Sequence, residues 1–248
     1  MLWVGTSWKM NGTLASARDY AEKLVGADAS QWSGVQPFII PPATALSEVR
    51  RVLGEDSGIL LGAQNAHWED SGAWTGELSV PQVADAGAEL VEVGHSERRQ
   101  YFGDTDEVVN RKVRSIVAHG LRPVLCVGEP GEVFEEGRTV EFITGQADSA
   151  LEGVDPSGVV LAYEPIWAIG EHGREPRRDD LVRAFDALHD RYADHVTAVI
   201  YGGSVNRGNA SGLLEIPGVE GLFVGRAAWS AEGYLEILAI AGEWVRRH

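Results

Sequence analysis

Glu164 follows the apolar run Val159 to Tyr163 and opens the segment EPIWAIG, so a carboxylate stands where a strand gives way to a loop. Fixed in place yet open to a ligand, such a carboxylate is a candidate general base. The loop behind it mixes the large apolar residues Ile166, Trp167 and Ile169 with a rigid entry at Pro165 and a flexible exit at Gly170. An ordinary surface loop is more polar. This one has the make-up of a lid that excludes water. A packed loop that merely covers a strand end is the alternative, and other segments have to decide between them.

His95 lies in EVGHSERRQ, directly after the run Leu90 to Val93, with Ser96 as candidate N-cap and Glu97 in the first helical turn. The positive end of a helix disfavours imidazolium, so a neutral histidine there can donate a hydrogen bond to a carbonyl oxygen. A histidine that only caps or packs is the simpler reading of this residue taken alone. Lys9 follows an apolar run and is flanked by Trp8 and Met10, neighbours that favour partial burial beside an anion, with Glu97 as candidate partner. Solvation is the commoner fate of lysine. The remaining histidines show no tight ligand spacing, and no metal is expected.

These groups need a scaffold that brings them together. Short β-rich runs recur at Leu2 to Gly5, Phe38 to Ile40, Ile59 to Leu61, Leu90 to Val93, Val124 to Val127, Val159 to Tyr163, Val196 to Tyr201 and Leu222 to Val224, mostly with helical patterns between them. Leu181, Phe185, Leu188 and Tyr192 form one helical stripe; Leu235, Leu238, Ala241 and Val245 form another. Eight strands alternating with helices predict an α/β chain folded as a closed parallel (β/α)8 barrel, with residues 1–248 as one catalytic domain. An open doubly wound sheet is the second choice. It loses support because no G-x-G-x-x-G follows the first strand and no Walker A pattern occurs.

In such a barrel the residues after each strand share one mouth. That rule gathers Ser7, Lys9, Gln64, Asn65, His95, Glu164, Gly202, Gly203, Ser204, Gly225 and Arg226. The last two turns are rich in glycine, which permits close backbone approach to phosphate, so a small phosphorylated substrate is expected.

Composition narrows the partners. With 21 Lys plus Arg against 37 Asp plus Glu, the formal charge of −16 argues against a nucleic-acid surface and requires a local positive site for any anionic ligand. The single Cys126 sits in an apolar run, where no intrachain disulfide is possible. The opening MLWVGTSWKM lacks the basic and apolar regions of a secretion signal, and there is no uninterrupted apolar run of membrane length. A cytoplasmic protein that binds neither membrane nor nucleic acid is expected.

The segments SWKMNG, GAQN, TGE, VGHSERR, LCVGE, YEPIWAIG and YGGSVN occur in an order that resembles the triosephosphate isomerase family along essentially the whole chain. The resemblance implies Glu164 as the proton-transferring base, His95 as the electrophile that polarises carbonyl oxygens, and Lys9 as electrostatic support for an enediolate. It also implies phosphate held near the backbone N–H groups of Gly170, Ser204, Gly225 and Arg226, with no cofactor. It further implies a homodimer in which the tip around Thr75, in the stretch Gln64 to Glu77, enters the mouth of the partner subunit. A loop folded on its own barrel is the alternative.

Three departures from the family pattern bear on substrate. Ser7 in TSWKMN replaces a substrate-contacting asparagine, Gly225 is followed by Arg226 where the family has a second glycine, and Glu171-His172-Gly173 replaces a TGK-like segment. Loss of a carboxamide at Ser7 opens space for a substrate longer by one hydroxymethyl group. TSWKMN and a Gly-Arg turn are similar to the family's tetrulose-phosphate branch, which implies conversion of L-erythrulose 1-phosphate to D-erythrulose 4-phosphate. The alternatives are the three-carbon reaction, dihydroxyacetone phosphate to glyceraldehyde 3-phosphate, and a non-catalytic phosphate-binding barrel. Arg226 either pairs with phosphate through its side chain or points outward while its N–H binds.

Overall fold

The computed structural model describes residues 1–169 and 173–248. Among the described residues, eight strands run β1 (Leu2–Ser7), β2 (Val35–Ile40), β3 (Leu60–Ala63), β4 (Leu90–Val93), β5 (Arg122–Val127), β6 (Val160–Tyr163), β7 (Ala198–Tyr201) and β8 (Gly221–Val224). They pair in parallel and in sequence order, and β8 returns to β1 to close the barrel. The predicted strands are all present, with ends that differ by a few residues.

Ten helices surround the barrel among the described residues: α1 (Leu14–Gly26), α2 (Leu46–Leu53), α3 (Val80–Asp85), α4 (Ser96–Phe102), α5 (Asp106–Ala118), α6 (Gly131–Glu135), α7 (Thr139–Leu151), α8 (Arg178–Tyr192), α9 (Ala210–Leu214) and α10 (Ala231–Arg247). Their starts are fixed locally. The Thr13 and Ser79 side chains accept from the third backbone N–H of α1 and α3 in reciprocal capping boxes, and Thr105 and Ser230 cap α5 and α10. No described helix is long and apolar enough to cross a membrane.

The stripe on α8 is buried as expected. On α10 the deepest face is instead Tyr234, Ile237, Leu238 and Ala241, while Leu235 and Val245 flank it. The reason is polar: Tyr234 Oη donates towards the Val4 and Phe38 carbonyls at 2.8 and 3.1 Å and accepts from the Phe38 N–H, which rotates the helix to point its tyrosine at β1 and β2.

Side chains alternate across each strand, so every second residue enters the barrel. Trp3, Phe38, Ile40, Leu90, Val124, Cys126, Val160, Ala162, Ala198, Ile200 and Phe223 fill that interior as a separate apolar cluster. Their alternates pack outward against the helices. Two or four residues beyond these interior positions stand Ser7, Glu92, Glu164, Gly202 and Gly225, which therefore meet at the C-terminal mouth.

Candidate active site

Glu164 is placed by two backbone bonds: its N–H donates to Val127 O at 2.8 Å, and the Gly202 N–H donates to Tyr163 O at 2.8 Å. The neighbouring strands come in closely because they carry no side chain there. A Cβ on Gly128 would lie 1.9 Å from Glu164 O, and one on Gly202 would lie 2.6 Å from Glu164 Cγ. The carboxyl is buried, and its Oε2 has no hydrogen-bond partner among the described residues. Burial first, then the neighbouring Glu92 charge, push its pKa up to about 8, with Lys9 opposing.

Facing it, His95 Nε2 stands 3.6 Å from Glu164 Oε2, a contact too long for a hydrogen bond. His95 is itself the N-cap of α4, and Ser96 is the first helical residue, in place of the expected Ser96 cap. His95 Nδ1 accepts from the Glu97 N–H at 3.2 Å, so in the neutral ring the proton sits on Nε2, towards Glu164. Burial, and then the Lys9 charge, push the imidazole down to about 4 against the pull of Glu97. The result is a neutral donor aimed at the space in front of a basic carboxylate.

Lys9 occupies the left-handed region at φ 52°, a strained backbone for a side chain of this kind. Gln64 Nε2 donates to Lys9 O at 2.7 Å, and Lys9 Nζ pairs with Glu97 Oε1 at 2.7 Å, as the sequence suggested. For Glu97, burial is the largest single influence and raises the pKa, but the hydrogen bond from Lys9 and the fields of His95 and Lys9 together outweigh it, so the pKa falls below the ordinary carboxylate value.

Glu164, His95, Lys9, Glu97 and Ser7 line one cavity of about 520 Å³ together with Gly203, Ser204, Gly225 and Arg226. Gly170 lies outside the described residues, as do Glu171 and His172. Ser204 Oγ donates to Ala168 O at 2.6 Å, which ties the turn after β7 to the loop behind Glu164. The short 3-10 turn Arg226–Ala228 presents N–H groups with no acceptor inside the turn. Arg226 is exposed at the cavity rim and makes no ion pair among the described residues.

Two features escaped the sequence reading. Glu92, alone among apolar neighbours in LVEV, is buried and accepts from Ser7 Oγ at 2.7 Å. Burial pushes its pKa up to about 7 despite Ser7 and Lys9. The available signal was its spacing of two from Leu90, which turns it into the barrel. Glu129 is also buried, with the Trp167 indole N–H at 2.8 Å, Tyr163 Oη at 3.1 Å and Thr139 Oγ1 at 3.2 Å. It anchors the loop residue Trp167, so the apolar loop is fastened at its base rather than loosely packed. Nothing local in the sequence pairs those four residues.

The profile of the family described as triosephosphate isomerase matches residues 2–241. A protein of Mycolicibacterium smegmatis named L-erythrulose-1-phosphate isomerase is 54% identical over 97% of this chain and 93% of its own length. A protein of the same name from Mesorhizobium japonicum is 47% identical over 96% of each chain. The crystal structure of triosephosphate isomerase from Bartonella henselae superposes with a TM-score of 0.85 at 31% identity, covering 96% of this chain and 98% of that one.

Proposed function

The chain belongs to the triosephosphate isomerase family and is a sugar-phosphate isomerase, and we propose that residues 1–248 form one catalytic domain that converts L-erythrulose 1-phosphate to D-erythrulose 4-phosphate. The observation that carries this reading is the opposition of Glu164 and the Nε2 side of His95 across 3.6 Å, inside a cavity that ends in glycine-rich turns. The substrate is that named for the relatives at 54% and 47% identity.

In this reading the phosphate sits against the main chain of Gly203, Ser204, Gly225, Arg226 and Gly170. Glu164 removes the proton from the carbon beside the carbonyl, and the electron pair moves onto the carbonyl oxygen to give an enediolate. His95 Nε2–H and Lys9 stabilise the developing oxyanion, and Glu97 holds Lys9 in place. Return of the proton to the neighbouring carbon completes the shift. No redox change is involved, so the chemistry calls for no cofactor. Water exclusion by the loop after Glu164 protects an enediolate that would otherwise expel phosphate.

The test is kcat/KM on L-erythrulose 1-phosphate and on dihydroxyacetone phosphate, with Glu164→Gln as blank. A preference for the four-carbon ketose, with a loss of about 10³ or more in kcat for the variant, is expected. A preference for the triose would overturn the substrate. No turnover of either in the wild type, with phosphosugar binding retained, would point to a silent binding barrel.

The same reading makes the protein a homodimer. Glu69 and Asp70 pair with Arg111 and His119 of the same barrel, yet residues 69–78 are all exposed, and Trp74, Met10 and Phe102 are 47%, 98% and 67% exposed. A second cavity of about 320 Å³, lined by Lys9, Met10, Asn65, Gly76 and Phe102 among others, would take the partner's loop tip. Sedimentation of Thr75→Arg should show a monomer; an unchanged dimer would exclude this loop as the contact. A cytoplasmic setting accords with a lone Cys126 that is buried and unpaired.

A further inference from the structure

A carboxyl inside a β-barrel needs a reason, because an apolar residue would fill the place at no desolvation cost. Glu92 is 4% exposed, and among the described residues the one hydrogen bond to its carboxyl is from Ser7 Oγ to Oε2; it makes no ion pair with any of them. No described residue hydrogen-bonds its Oε1, and Glu92 lines the cavity.

The position of this pair relative to the substrate follows from the two cavities. Residues 202–206 and 224–227 line the first alone, whereas Ser7, Lys9, Glu92, His95 and Glu97 line both. Within this shared wall Glu92 stands on β4, four strands around the barrel from β8, and Ser7, on β1 beside β8, reaches across the mouth to it. With phosphate at the glycine-rich turns and the reacting carbons between Glu164 and His95, whatever extends beyond the carbons meets Ser7 and Glu92. In L-erythrulose 1-phosphate that extension is a hydroxymethyl group, which a triose lacks.

We infer that the Ser7–Glu92 pair binds the terminal hydroxyl of the four-carbon substrate, with Glu92 accepting from it, and that this contact sets chain-length specificity. The inference rests on the substrate reading above. Ser7 has two parts in it. Its small side chain leaves room for the extra carbon, and its hydroxyl fixes one carboxyl oxygen so that the other is aimed at the ligand. Glu92 is not an acid or base for the isomerisation itself, since the hydroxyl it holds takes no part in the proton shift.

The experiment compares L-erythrulose 1-phosphate with its 4-deoxy analogue, in which the terminal hydroxyl is replaced by hydrogen, and with dihydroxyacetone phosphate. Wild type, Glu92→Gln and Glu92→Leu are assayed on all three. A site built to bind a hydroxyl discriminates steeply against a ligand that lacks it, so the wild type should lose about 100-fold or more in kcat/KM on the deoxy analogue. Glu92→Leu should reduce that ratio to within about fivefold by removing the acceptor. Glu92→Gln is close in shape and is expected to fold whatever the fate of the leucine variant. It should give up about tenfold of the discrimination, the difference between a charged and a neutral hydrogen bond.

Unchanged discrimination in either variant, or an equal loss on all three substrates as from a structural defect, would overturn the role of Glu92 alone. A wild type that prefers the triose would overturn the substrate reading and this inference together.

Discussion

In the proposed reaction the groups at one end of the cavity are buried side chains, Ser7, Glu92, His95 and Glu164; at the other the reading assigns the work to the main chain of residues 202–204 and 225–226. The first end gains chemical power from low dielectric. Burial is the largest cause of the shift in Glu92, His95 and Glu164, and it moves both carboxyls up and the imidazole down. The second end needs only N–H groups and space, which many sequences supply. Its side chains are marginal, since Arg226 is exposed and the Ser204 hydroxyl bonds to the protein's own backbone. Substitutions should therefore act steeply at the reacting end and gently at the phosphate end.

The largest effect that sharpens this contrast is expected for His95→Gln. Loss of a preorganised donor to the oxyanion should lower kcat by about 10² to 10³ with little change in KM. A loss mainly in KM would make His95 a binding residue and weaken the division.

Gly202→Ala breaks the contrast on purpose, because a glycine from the phosphate end also shapes the base. The added methyl would lie 2.6 Å from Glu164 Cγ and 2.7 Å from Oε1, so the carboxyl must move. A displacement of that order should cost about 100-fold in kcat. Retained activity would show that Glu164 has slack.

A smaller effect concerns pH. In the proposed reaction Glu164 works ionised, so kcat/KM, corrected for ionisation of the substrate phosphate, should rise with pH through the free-enzyme value of about 8 and then level off. His95, held near 4, stays neutral throughout that window. The Glu92 charge contributes to raising Glu164, so Glu92→Gln should move the rising limb to lower pH. An unmoved limb would mean that the two carboxyls are screened from one another.

The smallest expected effect is that of Arg226→Ala. For an exposed charge the loss should be a two- to fivefold rise in KM, about what surface ion pairs are worth, and should fade with added salt. A hundredfold rise would show that the side chain grips phosphate directly, and the phosphate end would no longer be chiefly main chain.

Much of this was legible along the chain because it depends on local periodicity. Strand β4 was read to the residue, and the burial of Leu181, Phe185, Leu188 and Tyr192 on α8 follows from spacing alone. Glu164, His95 and Lys9 could be named because each follows a strand, and parallel strands in a closed barrel deliver such residues to one mouth. The cap of α4 was misplaced by one residue because both His95 and Ser96 can accept from a helix N–H, and only the backbone angles decide which does. The face of α10 was misplaced because a tyrosine with carbonyl partners 196 and 230 residues away outweighs an apolar stripe.

By itself, then, the sequence determined the alternation of elements, the closed barrel and the ring of candidate groups at its mouth, since these follow from period, order and turn chemistry between near neighbours. Tertiary structure alone decided which of those groups touch. Ser7 meets Glu92 across 85 positions and Trp167 meets Glu129 across 38. Burial acts in the same way: a glutamate in LVEV has an ordinary acidity in the unfolded chain, and only enclosure by the closed barrel makes it a neutral-range group aimed into a cavity.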